Sequence, residues 1–335
     1  MSGKKCCSFL LKLEKKNGEI MDSLIYSLNA TVPIFAVIFL SYLLKQRGFF
    51  KESFISGADK VIFQLFLPVL LFRDIAEGRI TETFDLTFFL FCMISTVVYV
   101  FAIWGGAELF MKDKTMIGAF TQGAFRGSLA VLGVAFIQNI YGDAGLAPLM
   151  IVATVPLYNI FAVIVLTVRS NEPVAGGDSM IRATLKGILR NPIILGIIAG
   201  LPFSLLEIQF PTMINKTLDL IAAPATPLAL VTIGAGFEGA KAIKKIKPTI
   251  IASVIKLVIL PAIFLPIAVF MGFRNQALVS ILIMTGAPST VSGYIMAKNM
   301  NADYVLSSSI IVLTTAVSVF TMTLALYIMR SFALI

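Results

Sequence analysis

The sequence predicts an all-α integral membrane protein with ten transmembrane helices. Hydrophobic residues make up 58% of the chain and charged residues only 13%, whereas a soluble domain carries about 25% charged residues. The mean hydropathy is +0.93. Long uncharged runs such as 195–206 and 257–271 do not alternate apolar with polar residues as the strands of a membrane barrel do, so the spanning elements should be helices.

The composition also excludes several function classes. Histidine is absent, which removes the usual general base and the commonest metal ligand. Cys6, Cys7 and Cys92 lack metal-type spacing and form no obvious disulfide set; the Cys6–Cys7 pair is either lipidated or an ordinary part of a tail. The net charge of +9 fits basic loops of a membrane protein better than nucleic-acid binding. We therefore predict no enzyme, no cofactor, no metal site and no nucleic-acid partner.

Ten segments have the length of about 20 residues that a spanning helix needs. The predicted spans are 23–44, 54–76, 84–110, 116–140, 147–168, 187–206, 212–237, 248–271, 276–298 and 304–329. The longest connection, 169–186, contains Pro173 and Gly176-Gly177, which is loop chemistry. It separates a first half, 21–168, from a second half, 187–335.

Lysine and arginine set the expected orientation. The odd-numbered loops are richer in both residues than the even-numbered loops, so they should face the cytoplasm of a cell-membrane protein, with both termini outside. Residues 1–20 disagree, because they contain Lys4, Lys5, Lys12, Lys15 and Lys16. Met21 is a plausible translation start. We therefore interpret residues 1–20 either as an upstream extension or as a tail that has little influence on the orientation.

Two halves of five spans must enter the membrane in opposite directions, which is the inverted-repeat plan of many secondary transporters. Weak internal similarity supports this reading. Residues 67–71 (LPVLL) in span 2 match residues 226–230 (TPLAL) in span 7, and residues 123–125 (GAF) in span 4 match residues 286–288 (GAP) in span 9.

Span 4 carries an arginine near its middle. An arginine at that depth costs about 2.5–3.5 kcal/mol on insertion scales, so Arg126 should face protein, water or an anion. Two readings stay open: an anion-binding or gating charge beside Gly127 and Ser128, or a structural arginine that bonds the carbonyls of a broken helix.

Span 9 contains the sequence TGAPSTVSGY at residues 285–294. Pro288 removes a backbone donor and Gly286 permits unwinding, so a discontinuous helix is expected. Half-helix N-termini suit carboxylates; the alternative is a kink packed by its neighbours. Asn29, Asn159 and Lys256 are further candidates for polar lining, although Lys256 has the alternative of snorkelling to the membrane edge.

In these stretches the sequence resembles the auxin efflux carrier family, in its bacterial branch of malate or malonate permeases. The likeness covers about residues 21–330. Its matching stretches are 28–33 (LNATVP), 67–72 (LPVLLF), 124–128 (AFRGS) with Gly133, 191–194 (NPII), 226–230 (TPLAL) with Gly234, and 287–289 (APS) with Tyr294 and Ala297-Lys298. Where the family commonly has a proline in span 4, this chain has Gly133-Val134-Ala135.

The resemblance implies a bile-acid-symporter-like fold of two inverted five-helix repeats, in which broken spans 4 and 9 cross at mid-membrane. Gly123, Gly133 and Pro288 are the expected helix-break positions. Spans 1, 2, 6 and 7 would form a scaffold, through which a homodimer could form. Spans 3–5 and 8–10 would form a transport domain that moves in elevator fashion.

We therefore predict a secondary carrier for a small carboxylate, with coupling to protons or sodium left open. Arg126, Gly127 and the amides of residues 286–289 would attract the carboxylate. The side chains expected to orient it are Ser128, Ser289, Thr290, Ser292 and Tyr294, with Gly286 and Pro288 shaping the break. A channel, a receptor without flux and a membrane enzyme remain as alternatives.

Overall fold

The computed structural model describes residues 32–76, 84–129, 137, 140–142, 145–169, 189–206 and 208–335, and these residues form helices and no strand. Several predictions lie outside the described residues: the tail 1–20 with Cys6 and Cys7, the start of span 1 with Asn29, most of the second half of span 4 with Gly133, and residues 170–186 of the linker.

Eleven helices are numbered here in chain order; a further six-residue helix, Gly239–Lys244, is left unnumbered. They are α1 Val32–Gln46, α2 Glu52–Ala76, α3 Leu86–Phe110, α4 Ile117–Phe125, α5 Ala147–Val168, α6 Pro192–Leu205, α7 Thr212–Ala235, α8 Ile246–Phe270, α9 Asn275–Gly286, α10 Ser292–Asn299 and α11 Tyr304–Ser331. In the described part of the chain, six helices (α2, α3, α5, α7, α8 and α11) are long and apolar enough to span a membrane. The protein is therefore a multi-pass membrane protein, and these six helices begin and end within two residues of the predicted spans.

Side-chain caps fix the starts of several helices. Asn191 Oδ1 accepts a hydrogen bond from the Ile193 amide at 3.0 Å, with Pro192 in the first turn, so the helix start predicted at Asn191-Pro192 is confirmed. Asp85 and Asp303 cap α3 and α11 in the same way, each at 3.0 Å. These carboxylates satisfy amides that would otherwise lack partners.

The helices pack in two groups. One group contains α2, α6 and α7, and the other contains α3, α4, α5, α8, α9 and α11, while α10 contacts both and α5 also contacts α6. Helix α1 joins the first group through α7, where a Cβ added to Gly234 would overlap Ile38 O. Gly196 and Gly200 let α6 approach α2 closely: a Cβ added to them would lie 2.5 Å from Pro68 O and 2.8 Å from Phe72 O. Small residues four apart are a common means of close helix contact in membranes.

This close contact predicts a loss of stability on adding one methyl group. Gly196→Ala should lower the melting temperature of the purified protein, because its new Cβ meets backbone and overpacking costs about 1–3 kcal/mol. Gly57→Ala is the matched control within α2, since a Cβ there meets nothing within 4 Å. Equal melting temperatures for the two variants would contradict the packing described.

Two helices contain a wider, π-helical turn. Residues Ile62–Phe66 in α2 and Ile255–Ile259 in α8 are π-helical, and each turn comes directly before a Leu-Pro pair, at Pro68 and Pro261. Proline removes one backbone donor and clashes with the preceding turn, and a wider turn is one way to accommodate it. Lys256 lies in the second of these turns.

The predicted interruption of span 9 is present, because α9 ends at Gly286 and α10 begins at Ser292. In span 4, α4 ends at Phe125. The prediction that Gly123 breaks this helix was wrong, since the helix continues through it. A Cβ at Gly123 would lie 2.8 Å from Ile310 Cδ1, so this glycine serves close packing against α11.

Candidate functional site

The ends of α4 and α9 lie side by side. Both helices pass into extended backbone, at Arg126 (φ −71°, ψ 139°) and at Ala287 (φ −64°, ψ 149°). The Ser128 amide donates to Pro288 O at 3.0 Å. The two interruptions are therefore joined by a backbone hydrogen bond, although about 160 residues separate them in sequence.

Arg126 is buried, with 3% of its surface exposed. Its Nη2 donates to Asn159 Oδ1 and to Ser292 Oγ, both at 2.9 Å, and its Nη1 contacts Met296 Sδ at 2.8 Å. Its Nε has no hydrogen-bond partner. None of the ion pairs between described residues includes Arg126. A buried charge without a counter-charge is costly, which favours a bound anion over a purely structural role.

A cavity of about 190 Å³ adjoins this guanidinium and lies between the two helix groups. The α4–α5–α10 side of the cavity supplies most of its polar lining, and α1, α2 and α7 supply mainly apolar lining. The polar lining on the first side is Arg126, Gly127, Ser128, Tyr158, Asn159, Thr290 and Ser292; the apolar lining includes Ile34, Leu67, Leu70, Leu71, Ala229 and Leu230.

The N-terminal end of α10 meets the cavity at Thr290, Val291 and Ser292. No side chain caps this end; the Gly293 and Tyr294 amides donate to the Thr290 and Val291 carbonyls, and the helix N-terminus carries partial positive charge. The Thr290 and Ser292 hydroxyls lie 3.2 Å apart. Arg126 and the helix end together make this wall of the cavity electropositive and rich in donors.

The cavity also has a neutralised charge pair. Arg73 and Asp74 line it, and Arg73 donates to Asp74 at 2.8 Å and to Asp219 at 3.0 Å. The guanidinium is thus countered by two carboxylates, of which Asp74 also lines the cavity. Arg126 is thus the cavity-lining cation that lacks a carboxylate partner within the described residues.

A sequence model described as "Membrane transport protein" matches residues 26–326 of the chain. The chain belongs to this family, the auxin efflux carrier family. A "Putative malonate transporter" of Rhizobium meliloti is 27% identical over 317 residues, which cover 90% of this chain and 96% of the relative.

Other relatives of this protein are also named as transporters. "Uncharacterized transporter YfdV" of Escherichia coli K12 is 22% identical over 276 residues, covering 81% of this chain and 87% of the relative. An "Uncharacterized transporter" of Methanothermobacter thermautotrophicus is 22% identical over 301 residues, covering 87% and 95%. The family and these relatives indicate membrane transport.

In this member of the auxin efflux carrier family, several of the residues predicted to form the site lie away from the cavity. Tyr294 points toward α7, where its hydroxyl lies 3.4 Å from Thr232 O. Ser292 and Tyr294 are two positions apart on α10 and therefore face different directions, whereas Met296, four positions after Ser292, contacts Arg126. For this geometric reason Tyr294 is not part of the cavity lining that includes Ser292.

Three other predicted residues belong to the break rather than to the cavity wall. The Ser289 amide donates to Thr314 Oγ1 at 3.1 Å, the Pro288 carbonyl accepts from Ser128, and Gly286 packs against Pro261. The hydroxyl residues that follow them, Thr290 and Ser292, line the cavity instead. Pro288 does lie in the interruption, as expected.

Lys256 reaches the interruptions of spans 4 and 9, as one of its two alternatives has it, but it lies outside the cavity lining. It is fully buried, so it does not snorkel. Its Nζ donates to Phe125 O at 3.1 Å and to Met284 O at 3.0 Å. The lysine thus bonds the last residue of α4 and the last turn of α9.

Sequence reasoning missed Tyr158. This residue lines the cavity, its hydroxyl donates to Met284 O at 3.0 Å, and it lies 2.6 Å from the Tyr99 hydroxyl. It directly precedes Asn159, which was predicted. A tyrosine beside that asparagine in an otherwise apolar span was the available signal.

A second polar cluster joins the helix groups on the side of the odd-numbered loops. Lys298 on α10 forms an ion pair with Asp59 on α2 at 2.6 Å, and it also donates to the Tyr294 hydroxyl at 3.1 Å. Nearby, Tyr304 donates to Glu238 at 2.8 Å. The hydrogen bonds from Lys241 and Tyr304 lower the pKa of Glu238.

Proposed function

We propose that this protein is a secondary carrier of the cell membrane that moves a small organic anion, a mono- or dicarboxylate such as malate or malonate. One observation carries the proposal: Arg126 is buried beside a cavity, its Nε is unbonded, and no carboxylate of the described residues pairs with it. A carboxylate in the cavity would supply the missing counter-charge and accept hydrogen bonds from this wall.

The α10 N-terminus supports the same ligand class. Partial positive charge at a helix end stabilises an anion, and the hydroxyls of Thr290 and Ser292 and the amide of Asn159 offer further polar contacts. The apolar wall of α1, α2 and α7 suits the short carbon chain of an organic acid better than a bare inorganic ion. The name of the Rhizobium meliloti relative agrees with a small dicarboxylate.

We further propose the finer architecture that the family resemblance implies. Spans 1, 2, 6 and 7 would be the scaffold and spans 3–5 and 8–10 the transport domain of a 5+5 inverted repeat, with spans 4 and 9 crossing. Three features support this: the two helix groups, the hydrogen-bonded interruptions, and a cavity walled by both groups. Sliding one group along the other would carry the electropositive wall across the membrane in elevator fashion.

The orientation proposed from the basic loops places the Asp59–Lys298 pair toward the cytoplasm and both termini outside. In that orientation the ion pair closes the inner side of the contact between the two groups. Arg73 and Asp74, at the opposite end of α2, would lie on the outer side of the cavity. The described conformation would then be closed to the cytoplasm.

The direct test is uptake into proteoliposomes of a panel of labelled acids: acetate, malonate, malate, succinate and citrate, with a neutral amino acid as the control. We expect saturable, temperature-sensitive uptake of one or more small carboxylates and no uptake of the amino acid. Flux that does not saturate would favour a channel. Binding without uptake would favour a receptor, and no binding of any acid would contradict the proposal.

A further inference from the structure

Lys256 is the buried cation that the proposed site does not use. It lies in the π-helical turn Ile255–Ile259 of α8 and has no exposed surface. None of the ion pairs between described residues includes it. Such a charge in a membrane span must be stabilised by other means.

Two helix ends provide that stabilisation. Nζ bonds Phe125 O at 3.1 Å, at the end of α4, and Met284 O at 3.0 Å, in the last turn of α9. Each helix C-terminus is equivalent to about half a negative charge, so two converging ends balance roughly one ammonium. Tyr158 donates to the same Met284 carbonyl.

The position resembles a cation site in its chemistry. In transporters with broken helices, unwound carbonyls and half-helix C-terminal ends coordinate the coupling cation. Here the ammonium nitrogen occupies the space where the two ends converge. The backbone also makes room for it, because a Cβ at Gly127 would lie 3.2 Å from Nζ.

We infer that Lys256 is a resident cation that holds the ends of α4 and α9 together, and that this place therefore takes no exchangeable sodium ion. Lys256 is a positioning residue: it acts on the substrate cavity through Arg126, which follows Phe125 directly. The consequence for transport rests on the proposed function, whereas the consequence for stability does not.

The stability arm uses purified protein without substrate. Wild-type protein should melt at the same temperature in sodium chloride, lithium chloride and choline chloride of equal ionic strength. Lys256→Met should melt lower in all three salts, because an uncharged side chain leaves the Phe125 carbonyl without this donor and removes the cation between two helix C-termini. Lys256→Ser should melt lower in choline, with recovery as sodium or lithium is added, because ions that bind only the folded state stabilise it. Lys216→Met, at an exposed position of α7, should match wild type.

The transport arm measures carboxylate uptake by the wild type with sodium replaced by choline, and we expect equal rates. Sodium-dependent melting or uptake of the wild type would overturn the inference, as would wild-type melting behaviour of Lys256→Met. These outcomes are separable from failure of the proposed function, since failure of every acid to bind leaves the melting arm unaffected. Sodium-dependent uptake would support the proposed carrier but would contradict the inference that Lys256 takes the place of a sodium ion.

Discussion

Arg126→Gln should lower carboxylate affinity by about 30-fold or more, because truncating one partner of a buried charge pair costs about 2–5 kcal/mol. Glutamine keeps a polar group of similar length that can bond Asn159 or Ser292, so the substitution removes chiefly the charge. Isothermal titration or scintillation proximity with the acid found in the uptake panel gives the dissociation constant. Arg126→Lys should be intermediate, because lysine keeps the charge without the planar fork.

The matched control for this variant is Arg73→Gln. Arg73 lines the same cavity, but its guanidinium is already paired with Asp74 and Asp219. Its loss removes one positive charge from the cavity but no group proposed to bond the acid directly, so the affinity should fall by less than in Arg126→Gln. An equal loss in both variants would indicate a general effect of cavity charge rather than a specific anion contact at Arg126.

The melting temperature of Arg126→Gln separates the two readings of this arginine. If the residue is an anion-binding group, the protein without substrate carries an uncompensated buried charge, and removing it should leave the melting temperature unchanged or raise it. If the residue is structural, the melting temperature should fall and the affinity should persist. Retained affinity together with lower stability would therefore remove Arg126 from the transport mechanism.

Lys298→Met should open the side of the protein that carries the odd-numbered loops. The Asp59–Lys298 pair joins α2 to α10, and the Asp59 side chain is 4% exposed while that of Lys298 is 24% exposed. Breaking a fully buried pair costs about 3–5 kcal/mol, and partial exposure reduces this to about 1–3 kcal/mol. A shift of about 1.4 kcal/mol changes a population ratio tenfold, so access from this side should rise by about that factor or more.

Thiol labelling measures this access. In a background with Cys6, Cys7 and Cys92 replaced by serine, Thr232→Cys places a thiol on the residue whose backbone carbonyl contacts the Tyr294 hydroxyl, where the two helix groups meet. An impermeant maleimide applied from the odd-loop side should label it about ten times faster when Lys298→Met is added. Unchanged labelling would show that the ion pair does not hold the two groups together.

The control for this experiment is Lys241→Met on the same side of the protein. Lys241 pairs with Glu238 three residues away in the same segment, and its side chain is 61% exposed. The pair does not link the two helix groups, so labelling at residue 232 should stay at the parental rate. Equal acceleration by both variants would point to a general effect of lost positive charge.

Six of the ten predicted spans and the interruption of span 9 were predictable because they depend on local composition. Length and hydropathy predicted the bounds of α5 as 147–168, and the observed helix is Ala147–Val168. This works because the free energy of burying a helix in lipid is nearly the sum of the contributions of its residues. Proline and glycine likewise indicated the interruption between α9 and α10. The same reasoning misplaced the break at Gly123, because a glycine can serve close packing as well as unwinding.

The sequence by itself determined that this is a multi-pass helical membrane protein of a transporter family, with an arginine deep in span 4 and an interrupted span 9. Only the tertiary structure decided what those groups face. Ser292 contacts Arg126, whereas Tyr294 contacts Lys298. Only one residue lies between Ser292 and Tyr294, but the 3.6-residue period of the helix points their side chains in different directions. The partners of Lys256 come from residues 125 and 284, and contacts between such distant residues depend on how the helices pack rather than on any local pattern.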